Sequence, residues 1–92
     1  MKTEITIEYF SGESESLIAS IPEFVKWERK TGLKVTQLEE NIGLDDLLFL
    51  AYHAKKRELA GQAIKPFEVW CDTVDGIRSD KPENPKATPS EA

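Results

Sequence analysis

Few side chains in this sequence could do nucleophilic, acid–base or metal chemistry, and none of them stands in a catalytic motif. The chain has one histidine, His53, and one cysteine, Cys71. A general base needs an orienting partner and a nucleophile, and no spacing around His53 supplies either. Cys71 stands between Trp70 and Val74 and next to Asp72, whereas a reactive thiolate needs an electropositive setting. We therefore expect a surface or rim histidine and a buried, inert thiol.

The carboxylates are numerous, but their spacing favours structural roles. Asp45 and Asp46 are adjacent, so they are best explained as first-turn charges that complement a helix dipole. Glu68, Asp72 and Asp75 are spaced to share one helix face, where three carboxylates without a glycine-rich loop make a weak cation site and a typical solvated face. Nucleotide-binding, hydrolase and zinc-protease motifs are absent from the sequence. We therefore predict no catalytic residue, no metal site and no cofactor.

Composition narrows the classes of function further. With 92 residues the chain is long enough for one domain, and 12 basic against 17 acidic residues give a net charge of −5. This balance disfavours a general nucleic-acid binder and an anchor on anionic lipid. One cysteine excludes an internal disulfide, and the sequence has neither a signal-peptide pattern nor a long apolar run. The basic clusters at 26–30 and 55–57 are explained as charges at helix ends.

The N-terminal residues predict a β-hairpin. Ile5, Ile7 and Tyr9 alternate with polar residues, and a turn signal at 11–13 precedes a second stretch with Leu17 and Ala19 on one parity. A lone hairpin is marginal in water, so it must pack against other elements.

Three helices are predicted after the hairpin. The first spans 21–31, begins with a capping box formed by Ser20 and Glu23, and ends at Gly32. Its expected apolar face comprises Ile21, Phe24, Val25 and Glu28, with Trp27 on the flank. We leave the connection at 33–43 open between an extended segment and a short helix.

The second predicted helix, at 44–60, is apolar nearly all round in its first half, so we expect it to be central. Leu48 lies at the centre of this helix and on its main apolar face, so we expect it in the core, whereas Phe49 and Leu50 lie off that face. The third predicted helix begins at Pro66 and stops at Gly76.

Together these elements predict an α+β fold, with a small hairpin packed on a three-helix bundle. Residues 1–78 form the expected compact domain. Residues 79–92 hold three of the five prolines and no apolar residue except alanine, so we predict a disordered tail or linker there.

Three segments of the chain resemble the small tail assembly chaperones of long-tailed bacteriophages. The hairpin at 5–18 leads into FVKWERKTG at 24–32, the second segment is DDLLFLAYHAKKR at 45–57, and the third is PFEVWCDTVDGI at 66–77. Their order and spacing, which cover about residues 3 to 78, are similar to those of the family.

The resemblance implies a non-enzymatic role in the bacterial host cytoplasm. Such chaperones bind the apolar tape-measure protein and keep it soluble while the tail tube polymerises, and they are normally absent from the virion. Many have a longer form made by ribosomal frameshifting, whose extension contacts the tail tube protein. The oligomeric state and the existence of a longer form stay open. The alternatives are a small adaptor or regulatory module that binds one folded partner, and a minor component of the head–tail junction.

A client helix would need an apolar groove on the chaperone, so the candidate binding residues are three apolar side chains off the main helix faces and one further aromatic residue, followed by the acidic face. These residues are Trp27, Phe49, Leu50, Tyr52, Glu68, Asp72 and Asp75.

Overall fold

The computed structural model describes residues 1–40 and 42–80. Seven elements follow in the order β-β-α-α-α-α-β, and the strands form one antiparallel sheet with the spatial order β2-β1-β3. The predicted α+β class is confirmed. The elements are β1 (Thr3–Tyr9), β2 (Ser14–Ala19), α1 (Ile21–Thr31), α2 (Val35–Glu40), α3 (Leu44–Leu59), α4 (Phe67–Cys71) and β3 (Val74–Asp80).

The hairpin of β1 and β2 forms as its alternation predicts. Ile5 pairs with Leu17 across the two strands, and both are fully buried. Ala19 is also fully buried on this inward side, whereas Ile18, on the opposite parity, is 38% exposed. Because successive strand residues point to opposite faces, one face of the sheet covers the core and the other faces solvent.

The prediction of the third helix is wrong for the residues after Cys71. The helix α4 ends at Cys71, and the segment from Val74 onward is strand β3, which pairs with β1 so that Ile7 lies opposite Ile77. The register shifts at Glu8 and Tyr9, so Tyr9 lies opposite Val74. A bulge of this kind turns both Val74 and Ile77 toward the core although they are three residues apart, which is a helical spacing.

The strand β3 also moves the end of the folded region. Ser79 and Asp80, placed in the tail by the sequence, belong to β3 and pair with the start of β1. The rest of the predicted disordered tail, 81–92, lies outside the described residues.

The helix α3 is central, as predicted, because it contacts α1, α4 and the sheet. Leu50 is 1% exposed and is its innermost large apolar side chain. Leu48, which was expected in the core, is only half-buried, and Leu44 is 68% exposed. The sheet and the helices cover α3 on different sides, so the buried residues do not follow a single stripe.

The bounds of α1 match the prediction, but its buried face does not. The carboxylate of Glu23 accepts a hydrogen bond from the backbone N–H of Ser20 at 2.8 Å, and Gly32 ends the helix with φ of 76°. The buried residues are Glu23, Phe24 and Trp27, while Ile21 and Val25 are 55% and 36% exposed. An apolar pattern alone could not assign a glutamate to the inner side.

The connection left open by the sequence contains the short helix α2, whose Leu38 is 3% exposed and joins the core. Across residues 1–40 and 42–80, none of the helices has the length and apolar character that a membrane crossing requires.

Candidate binding cleft

The apolar residues predicted to line a groove lie in the core instead. Trp27, Phe49, Leu50 and Tyr52 are 2%, 9%, 1% and 6% exposed, respectively. This placement contradicts the predicted groove, because a client could not reach these side chains without opening the fold.

The aromatic members of this set have internal partners. The Trp27 indole N–H donates to Oδ1 of Asp46 at 2.9 Å, and the Tyr52 hydroxyl donates to the backbone carbonyl of Lys65 at 2.6 Å. Buried indole and phenol groups usually find such partners. These contacts link α3 to α1 and to the segment before α4, which is a structural role.

The predicted acidic face is also broken up by the structure. Glu68 lies in α4, Asp72 follows the end of that helix, and Asp75 lies in β3. All three side chains are exposed, but they do not share a helix face. Within the described part of the chain, no group of three or more His, Cys, Asp or Glu residues has an arrangement that could hold a metal ion.

A cleft opens where the turn of the hairpin meets the segment between α4 and β3. The backbone N–H of Phe10 donates to the carbonyl of Thr73 at 3.0 Å, which holds these two segments together. The cleft has a volume of about 660 Å³, within the usual range for binding pockets. Its lining residues are Tyr9, Phe10, Ser11, Glu13, Ser14, Glu15, Lys55, Lys65, Trp70, Asp72 and Thr73.

A chain of hydrogen bonds orders the inner side of the cleft. The Trp70 indole N–H donates to the Tyr9 hydroxyl oxygen at 3.3 Å, and the two rings meet edge to face with centroids 6.4 Å apart. The Tyr9 hydroxyl donates to the carboxylate of Glu15. Lys55 donates to the same carboxylate oxygen at 2.8 Å. The cleft is therefore largely preformed by α3, α4 and the hairpin.

Within this network, Tyr9 stays protonated and Glu15 stays ionised near neutral pH. Burial raises the pKa of Tyr9, and its hydrogen bond to Glu15 raises that pKa further. Burial alone would raise the pKa of Glu15, but the hydrogen bonds from Lys55 and Tyr9 outweigh it and lower the pKa below its usual value. A protonated phenol and an ionised carboxylate can orient a bound group, but neither gains or loses a proton near pH 7.

Phe10 is the most exposed large apolar residue of the cleft, with 70% of its surface accessible. The sequence-based prediction did not include Phe10 among the binding residues. A signal was available, because Phe10 follows Tyr9 directly and so takes the parity opposite to Ile7. A single exposed aromatic residue is normal on a protein surface, and it becomes a candidate contact here because it lines a cleft.

The surroundings of His53 and Cys71 do not favour a catalytic role. His53 is half-buried, with its ring 4.4 Å from that of Phe49. Cys71 is half-buried rather than fully buried, and burial together with the charges of Asp45, Asp72 and Glu68 raises its pKa. The thiol form is therefore favoured, which argues against a nucleophilic role.

Comparison of the chain with protein-family models, with curated proteins and with solved structures found no match. The resemblance to tail assembly chaperones therefore depends on the three sequence segments alone.

Proposed function

We propose that this chain is a non-enzymatic protein-binding module that acts as a tail assembly chaperone of a long-tailed bacteriophage. Its client is the tape-measure protein, which it keeps soluble in the bacterial cytoplasm while the tail tube polymerises. The observation that carries the proposal is the cleft of about 660 Å³ with Phe10, 70% exposed, on its wall. An exposed aromatic residue beside a preformed cavity is typical of a surface that binds another protein.

The chemistry of the cleft suits one apolar segment of a client. Phe10 offers exposed apolar surface, while Lys55, Glu15 and Asp72 place charges of both signs around it. A client side chain such as leucine or phenylalanine would pack on the ring of Phe10, and polar atoms beside it would meet the charged groups. The net charge of −5 favours solubility of the complex.

The wider set of partners follows from the sequence resemblance. A frameshifted longer form, where one exists, would contact the tail tube protein through its extension. The proposal includes no nucleic acid, membrane or cofactor, because the role requires only protein contacts.

Co-expression with the tape-measure protein tests this function. We expect a long helical reading frame next to this gene, and it is expressed alone, with the parent chain, and with the variant Phe10→Ser. The parent should raise the soluble fraction of the tape-measure protein several-fold. Phe10→Ser should lose most of that effect, because removing an interface anchor costs about 2 kcal/mol or more of binding free energy.

The variant Leu44→Ser is the matched control. Leu44 is 68% exposed, as Phe10 is 70% exposed, but Leu44 does not line the cleft. This variant should solubilise the tape-measure protein as the parent does. The proposal is wrong if the parent fails to solubilise it, or if no such reading frame lies nearby. Equal loss in both variants would contradict the cleft as the binding site.

A further inference from the structure

The strand β2 lies at one edge of the sheet, since the spatial order of the strands is β2-β1-β3. At the turn of the hairpin, the backbone N–H of Tyr9 donates to the carbonyl of Glu13 at 2.9 Å. Hydrogen-bonded and non-hydrogen-bonded pairs alternate along an antiparallel ladder, so every second residue of β2 after Glu13 turns its backbone groups toward β1. The residues between them turn their backbone N–H and C=O groups toward the open edge. These outward residues are Ser14, Ser16 and Ile18.

The side chains agree with this assignment of the outward residues. Thr6 and Ser16 lie opposite each other on β1 and β2, with their hydroxyl oxygens 3.2 Å apart. Opposed side chains come closer in a pair without backbone hydrogen bonds. Ser14, Ser16 and Ile18 are all exposed. In the part of the chain that the structure describes, no turn or loop forms a backbone hydrogen bond to any of the three.

The edge of β2 lacks the usual protection against a further strand. Proteins protect free edges with lysine, proline, bulges or charges, but β2 contains neither lysine nor proline and pairs with β1 without a register shift. Its one charged residue, Glu15, is held by Lys55 at 2.8 Å and by the Tyr9 hydroxyl. The opposite edge, β3, has a bulge and carries Arg78, which binds Glu8 at 3.3 Å. The open edge of β2 is therefore the better site for an added strand.

A second copy of β2 fits this edge in one symmetric register. An antiparallel pair with Ser16 opposite its own copy places Ser14 opposite Ile18. It also places Glu15 opposite Leu17, so no like charges are opposed. The outward residues of the two strands then form about six backbone hydrogen bonds. A register centred on Glu15 would oppose two carboxylates, which is destabilising, and one centred on Leu17 would leave Ser14 without a strand residue opposite it.

The charge of the edge favours a second copy over a charged partner. The outward residues Ser14, Ser16 and Ile18 are uncharged, so a strongly basic or acidic segment gains no ion pair from them. Each copy has a net charge of −5, and this opposes association at low ionic strength. Salt should therefore strengthen the contact, because it screens the repulsion between the copies.

We propose that two copies of this chain associate through their β2 strands about a twofold axis at Ser16. The two three-stranded sheets then form one continuous antiparallel sheet. A strand edge buries less surface than a stable dimer interface, so the dissociation constant should lie between about 10 μM and about 1 mM. This proposal does not rest on the tape-measure protein being the client.

Amide hydrogen exchange of the full chain, followed by NMR at about 50 μM and about 1 mM, tests the pairing. The amides of the outward residues should exchange several-fold more slowly at the higher concentration. The amides of Glu15, Leu17 and Ala19 should be protected at both concentrations, because they bond to β1. Sedimentation over the same range should show the mass rising from one chain toward two, and NaCl should shift this transition to lower concentration.

Substitutions of Ser16 locate the contact. Ser16→Pro removes an N–H that makes no bond to β1, so it should abolish the dimer. Ser16→Lys places two like charges opposite each other and should weaken the dimer several-fold without removing any backbone bond of the hairpin. Ser16→Thr keeps the N–H and should associate as the parent does. Circular dichroism shows whether each variant is folded, and Ser16→Lys provides the test if Ser16→Pro does not fold.

Four results would overturn the proposal. The first is a chain that stays monomeric at about 1 mM. The second is slow exchange of the edge amides at every concentration, which would mean that the chain covers its own edge. The third is protection of these amides only when a tape-measure fragment is added. The fourth is a Ser16→Lys variant that associates as well as the parent, because the dimer would then use another surface.

The dimer test is separate from that of the cleft. Ser14 and Glu15 also line the cleft, so association is measured without a client. Phe10→Ser should associate as the parent does, because Phe10 lies outside the paired residues. A failure of the chaperone function would thus leave this result unchanged.

Discussion

The carboxylate of Glu23 is held by the guanidinium of Arg57, with Nε to Oε2 at 2.7 Å and the second guanidinium nitrogen to Oε1 at 2.8 Å. Glu23 is fully buried, and its Oε1 also accepts the backbone N–H of Ser20. One side chain thus caps α1 and joins it to the end of α3. A buried carboxylate needs such partners, because its desolvation is costly.

This arrangement predicts a loss of stability in acid. Burial alone would raise the pKa of Glu23, but the bonds from Arg57 and from the Ser20 N–H lower it below its usual value. The unfolded chain therefore binds the proton more tightly than the folded one, so Glu23 stabilises the fold above its unfolded-state pKa. This stability is lost as pH falls through the lower pKa of the folded state.

Urea unfolding from about pH 7 to about pH 3 measures the effect. The free energy of unfolding should fall below about pH 5. Glu23→Gln, which cannot ionise, should be less stable at neutral pH and should lose less stability in acid. An unchanged acid slope in this variant would show that other carboxylates account for it.

Leu50 should be the most sensitive apolar position of α3. It is 1% exposed, so Leu50→Ala should cost about 2–5 kcal/mol of unfolding free energy through lost burial and a residual cavity. Leu44→Ala on the same helix changes a residue that is 68% exposed and should cost less than about 0.5 kcal/mol. Chemical denaturation compares the two. Similar losses would contradict the placement of Leu50 at the centre of the core.

Replacing Asp46 by alanine should cost more stability than replacing Asp45, although both are acidic residues of the first turn of α3. Asp46 accepts the indole N–H of Trp27 at 2.9 Å and the backbone N–H of Gly43 at 3.0 Å, whereas the one ion-pair partner of Asp45 among the described side chains is Lys30 at 3.8 Å. Asp46→Ala should therefore cost about 1–3 kcal/mol, and Asp45→Ala less than about 1 kcal/mol. Trp27→Phe should reproduce part of the Asp46→Ala loss, as measured by thermal melting. If the two alanine variants melt at the same temperature, the hydrogen bond between Trp27 and Asp46 contributes nothing measurable to stability.

The strand β3 should be needed for folding. A chain that ends at Asp80 keeps every pair between β1 and β3, whereas a chain that ends at Gly76 loses the pairing of Ile77 with Ile7 and of Ser79 with Ile5. The first should melt within about a degree or two of the full chain, because residues 81–92 contain no large apolar side chain to bury. The second should lose at least several degrees, at about 4–8 °C for each kcal/mol in a domain of this size. Equal melting of both chains would show that β3 is dispensable.

The elements whose signals are local could be predicted from the sequence. Alternation in β1 and β2 identified the inward residues of the hairpin, because the side-chain period of a strand is two. Ser20, Glu23 and Gly32 set the ends of α1, because caps act within a few residues of the helix terminus. The central position of α3 could be predicted because its first half is apolar nearly all round.

Which side chains are available to a partner depends on tertiary contacts. Arg57 comes 34 residues after Glu23, and this distant partner lets a glutamate occupy the inner side of α1 while Ile21 and Val25 face solvent. Pairing with β1 and a bulge made a strand of a segment whose apolar residues have helical spacing. The packing of α1 on α3 buried Trp27 of α1, and the elements that cover α3 buried its Phe49. These outcomes depend on contacts between residues far apart in the chain, and the pattern of a single segment does not contain them.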